Sequence, residues 1–386
     1  MLLFFVGLAL AAAPVDRPKL PPDLERLVQL ANATPPEFDS DALLRVASVT
    51  KIDKSLRKEL IERAFHLAAG AQFRTPMTAV GQLADTRSGM IAAAAKLGLD
   101  ALSLQTRAVR IMLELDKKAA RDLFLEINQP SVAQTCDQPL VPDAGSLYQA
   151  LAAVANTTFT EQERSKEAHV NLVMGYLARA ASPVEIAPLE QMVASLNVTP
   201  EQRDVLSTRL NALRHSLVAP ACPEQKPSDA FWQSEQAKLL FDHGVQLRFK
   251  EHGAVYSDAE RDTPEWYQQL TDYLKELGDW KPSDEKDEAT YYHQKAIIYQ
   301  MLAELTPRGP ERDKAIGAFV EFLSNSNLQR EKPTEWFYPA QSLVARARNS
   351  SGESAKILAA FENSGNPVLV LYSEAQKTQP AANEPR

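Results

Sequence analysis

Glycine, long apolar segments and basic clusters are scarce in this chain of 386 residues. It contains only 14 Gly, and a Gly in a helix interior costs about 1 kcal/mol relative to Ala, so this composition favours helices. No segment after residue 13 has 18 consecutive apolar residues, so we expect no membrane span in the mature protein. The net charge is −8, and no dense run of Lys and Arg lies near an aromatic cluster. This disfavours nucleic-acid binding, which needs a basic face.

Recognisable metal, nucleotide and catalytic signatures are also missing. The six His are dispersed, and neither H-E-x-x-H nor C-x-x-C occurs, so we predict no metal site. The phosphate-binding loops G-x-x-x-x-G-K and G-x-G-x-x-G are absent, and so is the G-x-S-x-G elbow of hydrolases. We therefore predict no cofactor and assign no catalytic residue.

Two short motifs resemble parts of known active sites. Ser55 and Lys58 match the S-x-x-K motif of penicillin-binding proteins, but its companion elements are not arranged downstream. Glu353 and Ser354 resemble the Glu-Ser pair of lytic transglycosylases, whose other motifs are missing. Matches this short are expected by chance on charged helices, so neither predicts an active site.

The first thirteen residues carry no charged side chain. This apolar stretch is shorter than the roughly 20 residues that cross a bilayer and has the length of a signal-peptide core. Ala9 and Ala11 fit an A-x-A cleavage site, and Pro14 interrupts any helical continuation. The alternative is a buried N-terminal helix, since no Lys or Arg precedes the apolar core. We expect export to the periplasm or the exterior, without a lipoprotein anchor, because no Cys follows.

Two cysteines, Cys136 and Cys222, lie in Pro-rich loops. An even number of cysteines in the loops of an exported protein predicts a disulfide bond. The bond would close a loop of more than 80 residues and could contribute about 4 kcal/mol in the entropic description. The alternative is a pair of unpaired buried thiols.

Apolar residues recur with helical spacing through most of the chain. One stripe precedes residue 68 and another follows residue 101, and both have the three-to-four-residue period of an amphipathic helix. Segment 367–372 is the most strand-like, but its neighbours favour helix, and we predict it to be helical. The stripes comprise Ile52, Leu56, Leu60, Ala64 and Leu67, and Leu102, Val109, Met112 and Leu115.

Two capping signals mark helix starts in the first half of the chain. Thr160 and Glu163 form a capping box that predicts a helix running toward Ala180. Thr199 and Gln202 form a second box, with a proline at the first helical position. With no convincing alternating strand pattern elsewhere, the sequence predicts an all-α fold.

A change in composition predicts two helical domains. Residues 218–229 contain three prolines and no helical stripe, so we place a linker there. The preceding domain, 14–217, is Ala-rich. The following domain, 230–377, contains all four Trp and eight of the ten Tyr. Residues 1–13 are the predicted signal peptide, and the polar tail 378–386 is predicted to be disordered.

Two predicted helices in the second half flank a tight turn at residues 306–310. The helix before the turn is apolar on two faces, and so is the helix after it, which indicates that both are packed between neighbours. Stacked helical hairpins provide this environment. No fixed period of 30 to 45 residues holds along the chain, so we predict an irregular, solenoid-like array of α-α hairpins rather than a regular solenoid.

Three short segments carry a family resemblance: DTRSG at 85–89, LDKK at 115–118 and PEW at 264–266. Through them the chain resembles an uncharacterised family of exported bacterial α-helical proteins. The resemblance would cover most of the mature chain. It implies an exported helical protein and no particular activity.

An aromatic set supplies the candidate binding residues. Its members are predicted at helix starts or in loops, where aromatic side chains could line a peptide groove or stack on sugars. The alternative is core packing between helical hairpins. The set comprises Trp266, Tyr267, Trp280, Trp336 and Tyr338.

These observations favour an exported helical module that binds a protein or peptide partner in the cell envelope. Helices apolar on two faces, clustered aromatics and the lack of a catalytic motif support this hypothesis. A hydrolase or lyase acting on envelope polymers is one alternative, and it would need two carboxylates facing each other across a cleft. A purely structural protein without a ligand is the other.

Overall fold

The computed structural model describes residues 19–79, 97–130, 140–217, 309–325, 331–347 and 352–377, together with isolated positions between 264 and 306. The fold is all-α, as the sequence predicts. The predicted signal peptide, linker and C-terminal tail (1–13, 218–229 and 378–386) lie outside the described residues. The two-domain division therefore stays a prediction.

Fourteen α-helices are bounded within the described residues. Ten precede residue 217: α1 Pro22–Ala31, α2 Pro36–Ala47, α3 Lys54–Ala68, α4 Ala101–Leu113, α5 Lys117–Glu126, α6 Gly145–Thr157, α7 Glu161–Ser165, α8 Ala168–Arg179, α9 Ile186–Ser195 and α10 Pro200–Ser216. Four follow residue 309: α11 Pro310–Ser324, α12 Phe337–Ala347, α13 Glu353–Glu362 and α14 Pro367–Lys377. Single 3₁₀ turns, Pro183–Glu185 and Pro333–Glu335, precede α9 and α12.

Side-chain caps define many of the helix starts. Asp53, Asp100 and Asp116 each accept backbone N–H groups from the first turn of α3, α4 and α5. The predicted capping boxes at Thr160 and Thr199 are both present. These caps satisfy amide groups that have no partner inside the helix.

The helix predicted from Thr160 toward Ala180 is wrong in one respect, because it is broken into α7 and α8. Glu167 has φ of 57° and ψ of 22°, a left-handed conformation that no α-helix can contain. The capping box formed by Thr160 and Glu163 marks the start of α7. It carries no information about the break at Glu167.

A short β-ribbon is a feature that the sequence does not predict. Strands β1 (Met77–Ala79) and β2 (Leu140–Pro142) pair antiparallel, with Thr78 opposite Val141. Three residues per strand are too few to show an alternating pattern.

The helices of the first half stack as successive hairpins. The pairs are α2 with α3, α4 with α5, α6 with α7–α8, and α9 with α10. The first helix of each pair also packs against a helix of a neighbouring hairpin. Thus α4 packs against α3, α6 against α4, and α9 against α6, while α10 also packs against α8. This arrangement is the predicted irregular hairpin array.

The C-terminal helices continue the packing at the N-terminal end of the array. Helix α14 lies against α13, α1 and α2, and α13 also contacts α11 and α12. The prediction that segment 367–372 is helical is confirmed, and Val368, Leu369 and Leu371 are buried in α14. Apart from Val141 of β2, the buried apolar side chains of the described residues form one connected core.

Candidate functional site

The predicted aromatic set is only partly within the described residues. Trp336 is fully buried, and its indole Nε1 donates a hydrogen bond to the Glu331 carbonyl oxygen at 3.4 Å. Tyr338 is 39% exposed. Core packing, the alternative weighed for this set, therefore describes Trp336, whereas Tyr338 remains a surface residue. The other members lie outside the described residues: Trp266, Tyr267 and Trp280.

An aromatic junction formed by Phe38, Phe73, Phe337 and Tyr372 joins four parts of the chain. The Phe337 ring lies 4.7 Å from Phe38, 6.3 Å from Phe73 and 5.5 Å from Tyr372, between ring centroids, with steep interplanar angles in each pair. Edge-to-face aromatic pairs contribute about 0.5–1.5 kcal/mol beyond the burial of their area. The junction thus holds α12 and α14 against α2 and the turn after α3, and the exposed Tyr338 follows Phe337 in the sequence.

Glu37 is a buried carboxylate at the edge of the aromatic junction. The side chain is 1% exposed, and burial raises its pKa. Backbone N–H groups of Glu37 itself and Gln72 donate to the carboxylate. Its Oε2 atom has no hydrogen-bond partner among the described residues. Glu37 therefore ties the start of α2 to the turn after α3.

Two more acids on α2 are held by arginines of neighbouring helices. Burial raises the pKa of Asp39, although the Arg63 guanidinium at 2.9 Å opposes the rise. Burial also acts to raise the pKa of Asp41, but Arg107 and Arg45, each at 2.6 Å, outweigh it and lower the pKa. These contacts anchor α2 to α3 and α4, and they leave neither acid as a free general acid or base.

The S-x-x-K residues make structural contacts. The Ser55 hydroxyl and backbone N–H both donate to the Asp53 carboxylate, the N–H at 2.8 Å. Lys58 Nζ lies 2.6 Å from Asp116 Oδ2, and the hydrogen bond from Lys58 is the main reason that the pKa of Asp116 falls to about 2. The serine extends a helix cap and the lysine pairs with a carboxylate, so the two do not form a nucleophile and its base.

Glu353, the acid of the Glu-Ser pair, also has a structural partner. Its Oε1 atom lies 2.5 Å from Arg312 Nε, and both side chains are largely buried. The pair joins the start of α13 to α11.

A buried polar cluster around Tyr148 has no counterpart in the sequence analysis. The Tyr148 hydroxyl donates to Glu185 Oε1, while Oε2 of the same carboxylate accepts backbone N–H groups of Ala181 at 2.8 Å and Ser182 at 2.9 Å. Burial and the negative charge of Glu185 raise the pKa of Tyr148, so the phenol stays protonated and acts as a donor. Nothing local in the sequence links two residues that are 37 positions apart.

Three arginines close the turns of three hairpins, and we call Arg57, Arg164 and Arg203 the turn arginines. Arg57 Nε donates to the carbonyl at the end of α2, at 2.6 Å. Arg164 Nη2 donates to two carbonyls at the end of α6, at 2.8 and 2.5 Å. Arg203 donates to carbonyls at and after the end of α9, at 2.6 to 3.3 Å. Each supplies donors to carbonyls that lack helical partners.

The turn arginines share a spacing that could have revealed them. Each lies four residues after an N-cap, at Asp53, Thr160 or Thr199. The residue before each cap is apolar: Ile52, Phe159 or Val198. An arginine one turn into a helix can reach back along the hairpin to the end of the preceding helix. The shared pattern spans only six residues and recurs at unequal intervals, so a search for a fixed period misses it.

Hydrogen bonds also connect the turns of neighbouring hairpins. Asn156 Nδ2 donates to the Ser195 carbonyl oxygen at 2.9 Å, and the Asn197 N–H donates back to Asn156 Oδ1 at 2.7 Å. Arg164 Nη1 reaches the Asn197 carbonyl at 3.3 Å. Further along the same series of turns, Arg121 Nη1 lies 2.8 Å from Glu163 Oε1. We call these contacts, with the turn arginines, the turn edge.

The described part of the chain contains neither a metal-binding cluster nor a membrane-spanning helix. In that part, no three side chains of the His, Cys, Asp and Glu types come together in a way that could hold a metal ion. Within the same residues, no helix combines the length and apolar character that a bilayer crossing requires. Cys136 and Cys222 lie outside the described residues, so their pairing stays a prediction.

Comparisons with protein-family models, curated proteins and solved structures gave no match to this chain.

Proposed function

We propose that this protein is an exported helical module of the cell envelope that binds a protein or peptide partner. The observation that carries the proposal is the stacking of successive α-α hairpins, held in register by the turn edge. Stacked helical hairpins present extended surfaces that suit protein and peptide ligands.

The side chains that could have supported an enzyme are engaged in structural contacts. Lys58 pairs with Asp116, Glu353 pairs with Arg312, and the acids of α2 are tied to arginines or backbone amides. No pair of opposed carboxylates, as a glycosidase requires, is evident among them. These contacts favour an interaction module over the hydrolase or lyase alternative.

Export is part of the proposal and rests on residues 1–13. Expression of the full chain in a bacterial host, followed by fractionation and N-terminal sequencing, tests it. We expect an envelope-associated product that begins at Ala12. A full-length product retained in the cytoplasm would refute export.

The disulfide between Cys136 and Cys222 belongs to the same proposal. Thiol titration of the purified exported protein, unfolded without reductant, should detect no free thiol. Detection of two titratable thiols would refute the proposed disulfide.

The binding surface is proposed to include Tyr338. A photoreactive phenylalanine analogue placed at position 338 should crosslink a partner in intact cells. The control is the same analogue at Leu125, an exposed apolar position on α5. Crosslinks of equal yield at both positions, or at neither, would contradict a binding surface at Tyr338.

A further inference from the structure

The elbow between α7 and α8 (residues 165–168) combines an unfavourable backbone conformation with specific supporting contacts. Glu167 is the one non-glycine residue with positive φ within the described ranges, and such residues persist only where their surroundings hold them. Its N–H donates to the Arg164 carbonyl at 2.9 Å, and its carboxylate accepts from Gln202 Nε2 at 3.2 Å. The elbow is therefore fixed from within its own hairpin and from α10.

A buried imidazole lies two residues after the left-handed position. His169 is 4% exposed, and its Nδ1 atom is buried without a hydrogen-bond partner in the described part of the chain. Its ring centroid lies 6.1 Å from that of Phe159. Burial lowers the pKa of His169, the nearby Arg164 lowers it further, and Glu167 opposes them.

The charged groups around His169 already serve other contacts. Arg121 lies over the ring of Phe159, 4.8 Å from its centroid, and pairs with Glu163. Arg164 is directed at the carbonyls ending α6. Glu163 is paired with Arg121. Glu167, which accepts from Gln202, favours the protonated imidazole, but burial and Arg164 outweigh it.

Helix α10, which packs against α8, carries the exposed acids Glu201 and Asp204, and neither is among the groups that shift the pKa of His169. Helix α6 carries no charged residue, and its one tyrosine, Tyr148, is bonded to Glu185. On α10, the guanidinium of Arg203 is directed at the end of α9. A protonated imidazole would therefore be buried near the Arg164 guanidinium, with the Glu167 charge too weak to offset burial, which disfavours the closed elbow.

We propose that the α7–α8 elbow is an acid-sensitive hinge, opened when protonated His169 leaves its buried position. Opening moves the imidazole into water, releases Glu167 from the left-handed conformation and loosens the contact between α8 and α10. The hinge changes how two neighbouring hairpins are held together, and it acts independently of any partner that the protein binds.

Amide hydrogen exchange, read by mass spectrometry on the full chain, tests the hinge. After correction for intrinsic exchange, peptides covering residues 158–180 should exchange at least about threefold faster at pH 5.5 than at pH 7.5. His169→Gln should abolish this difference. The matched control, His215→Gln, changes an exposed histidine on α10 and should retain it.

Two outcomes of the exchange experiment would overturn the proposal. One is unchanged protection of residues 158–180 in the native sequence at pH 5.5. The other is an acid response of the same size in the folded His169→Gln variant. Should that variant not fold, NMR titration of the native protein decides, because a His169 pKa at or above its ordinary value of 6.5 would refute the hinge.

Discussion

Replacing Arg164 with alanine should destabilise the protein by about 2–3 kcal/mol. The guanidinium donates to the carbonyls of Ala155, Asn156 and Asn197, at 2.8, 2.5 and 3.3 Å. A hydrogen bond to a charged group contributes about 1.5–3 kcal/mol net when it is protected from water. The longest of the three bonds is weak, and the partly exposed carbonyls recover some hydration, so the sum falls well below three full bonds.

Urea unfolding at pH 7.5 measures this loss. Arg164→Lys should recover only part of it, since one ammonium group cannot match the planar fork of a guanidinium. The control is Arg209→Ala, an exposed arginine on α10, which should change the free energy of unfolding by about 0.5 kcal/mol or less. If Arg164→Ala and Arg209→Ala were equally mild, the turn arginines would not stabilise the array.

Double substitutions extend the same prediction to the connection between turns. Arg164 reaches the carbonyl of Asn197, and Arg203 reaches that of Leu196 at 2.6 Å. Because these carbonyls belong to consecutive residues, we expect an interaction energy of about 0.5 kcal/mol or more between Arg164→Ala and Arg203→Ala. Arg57→Ala acts on the distant α2–α3 turn and should combine with Arg164→Ala additively, within about 0.5 kcal/mol.

Further predictions concern the buried side chains. Burial raises the pKa of Glu37, so its contribution to the free energy of unfolding is complete below the ordinary pKa of 4.5 and is lost as the pH rises through the folded pKa. Urea titrations between pH 4.5 and 7.5 should therefore show the native protein losing stability relative to Glu37→Gln. Trp336→Ala should destabilise the protein by about 3–5 kcal/mol, because it leaves a cavity in the core. Tyr338→Ala should cost about 1 kcal/mol or less, because this side chain is exposed. Equal losses in the two variants would contradict the difference in burial. Tyr148→Phe should cost about 1–3 kcal/mol in thermal unfolding, because it leaves a buried oxygen of Glu185 without its donor, and an unchanged melting temperature would refute that role.

The features predicted correctly from sequence are those set by neighbouring residues. The capping boxes at Thr160 and Thr199 depend on four consecutive positions, and both are present. Segment 367–372 shows the limit of strand propensity. Val368, Leu369 and Leu371 are buried in α14, which packs against α13 and the α1–α2 pair. An apolar run of this kind fits a packed helix as well as a strand.

The features that the sequence did not reveal depend on distant partners. The left-handed Glu167 interrupts a helical pattern without a Gly or Pro to signal it, and its side chain bonds to Gln202 in the next hairpin. Tyr148 and Glu185 meet only after two hairpins have stacked. Trp336 belongs to the aromatic set predicted at helix starts or in loops, and its full burial just before α12 depends on distant neighbours. Local patterns predict which elements form, whereas tertiary packing decides what those elements bury.

Arg164 connects the stability of the array to its proposed response to acid. The same guanidinium closes the α6 turn, reaches the turn of the next hairpin and adds to the effect of burial, which is the main cause of the lowered pKa of His169. A cation that stabilises the turn edge therefore also opposes a second cation beside it, so tighter closure of the turn makes protonation of the imidazole less favourable. By linkage, protonation must weaken the contacts of Arg164 by the same free energy. The hinge and the turn edge are then two consequences of one placement: an arginine one turn after an N-cap, with a histidine five residues further along.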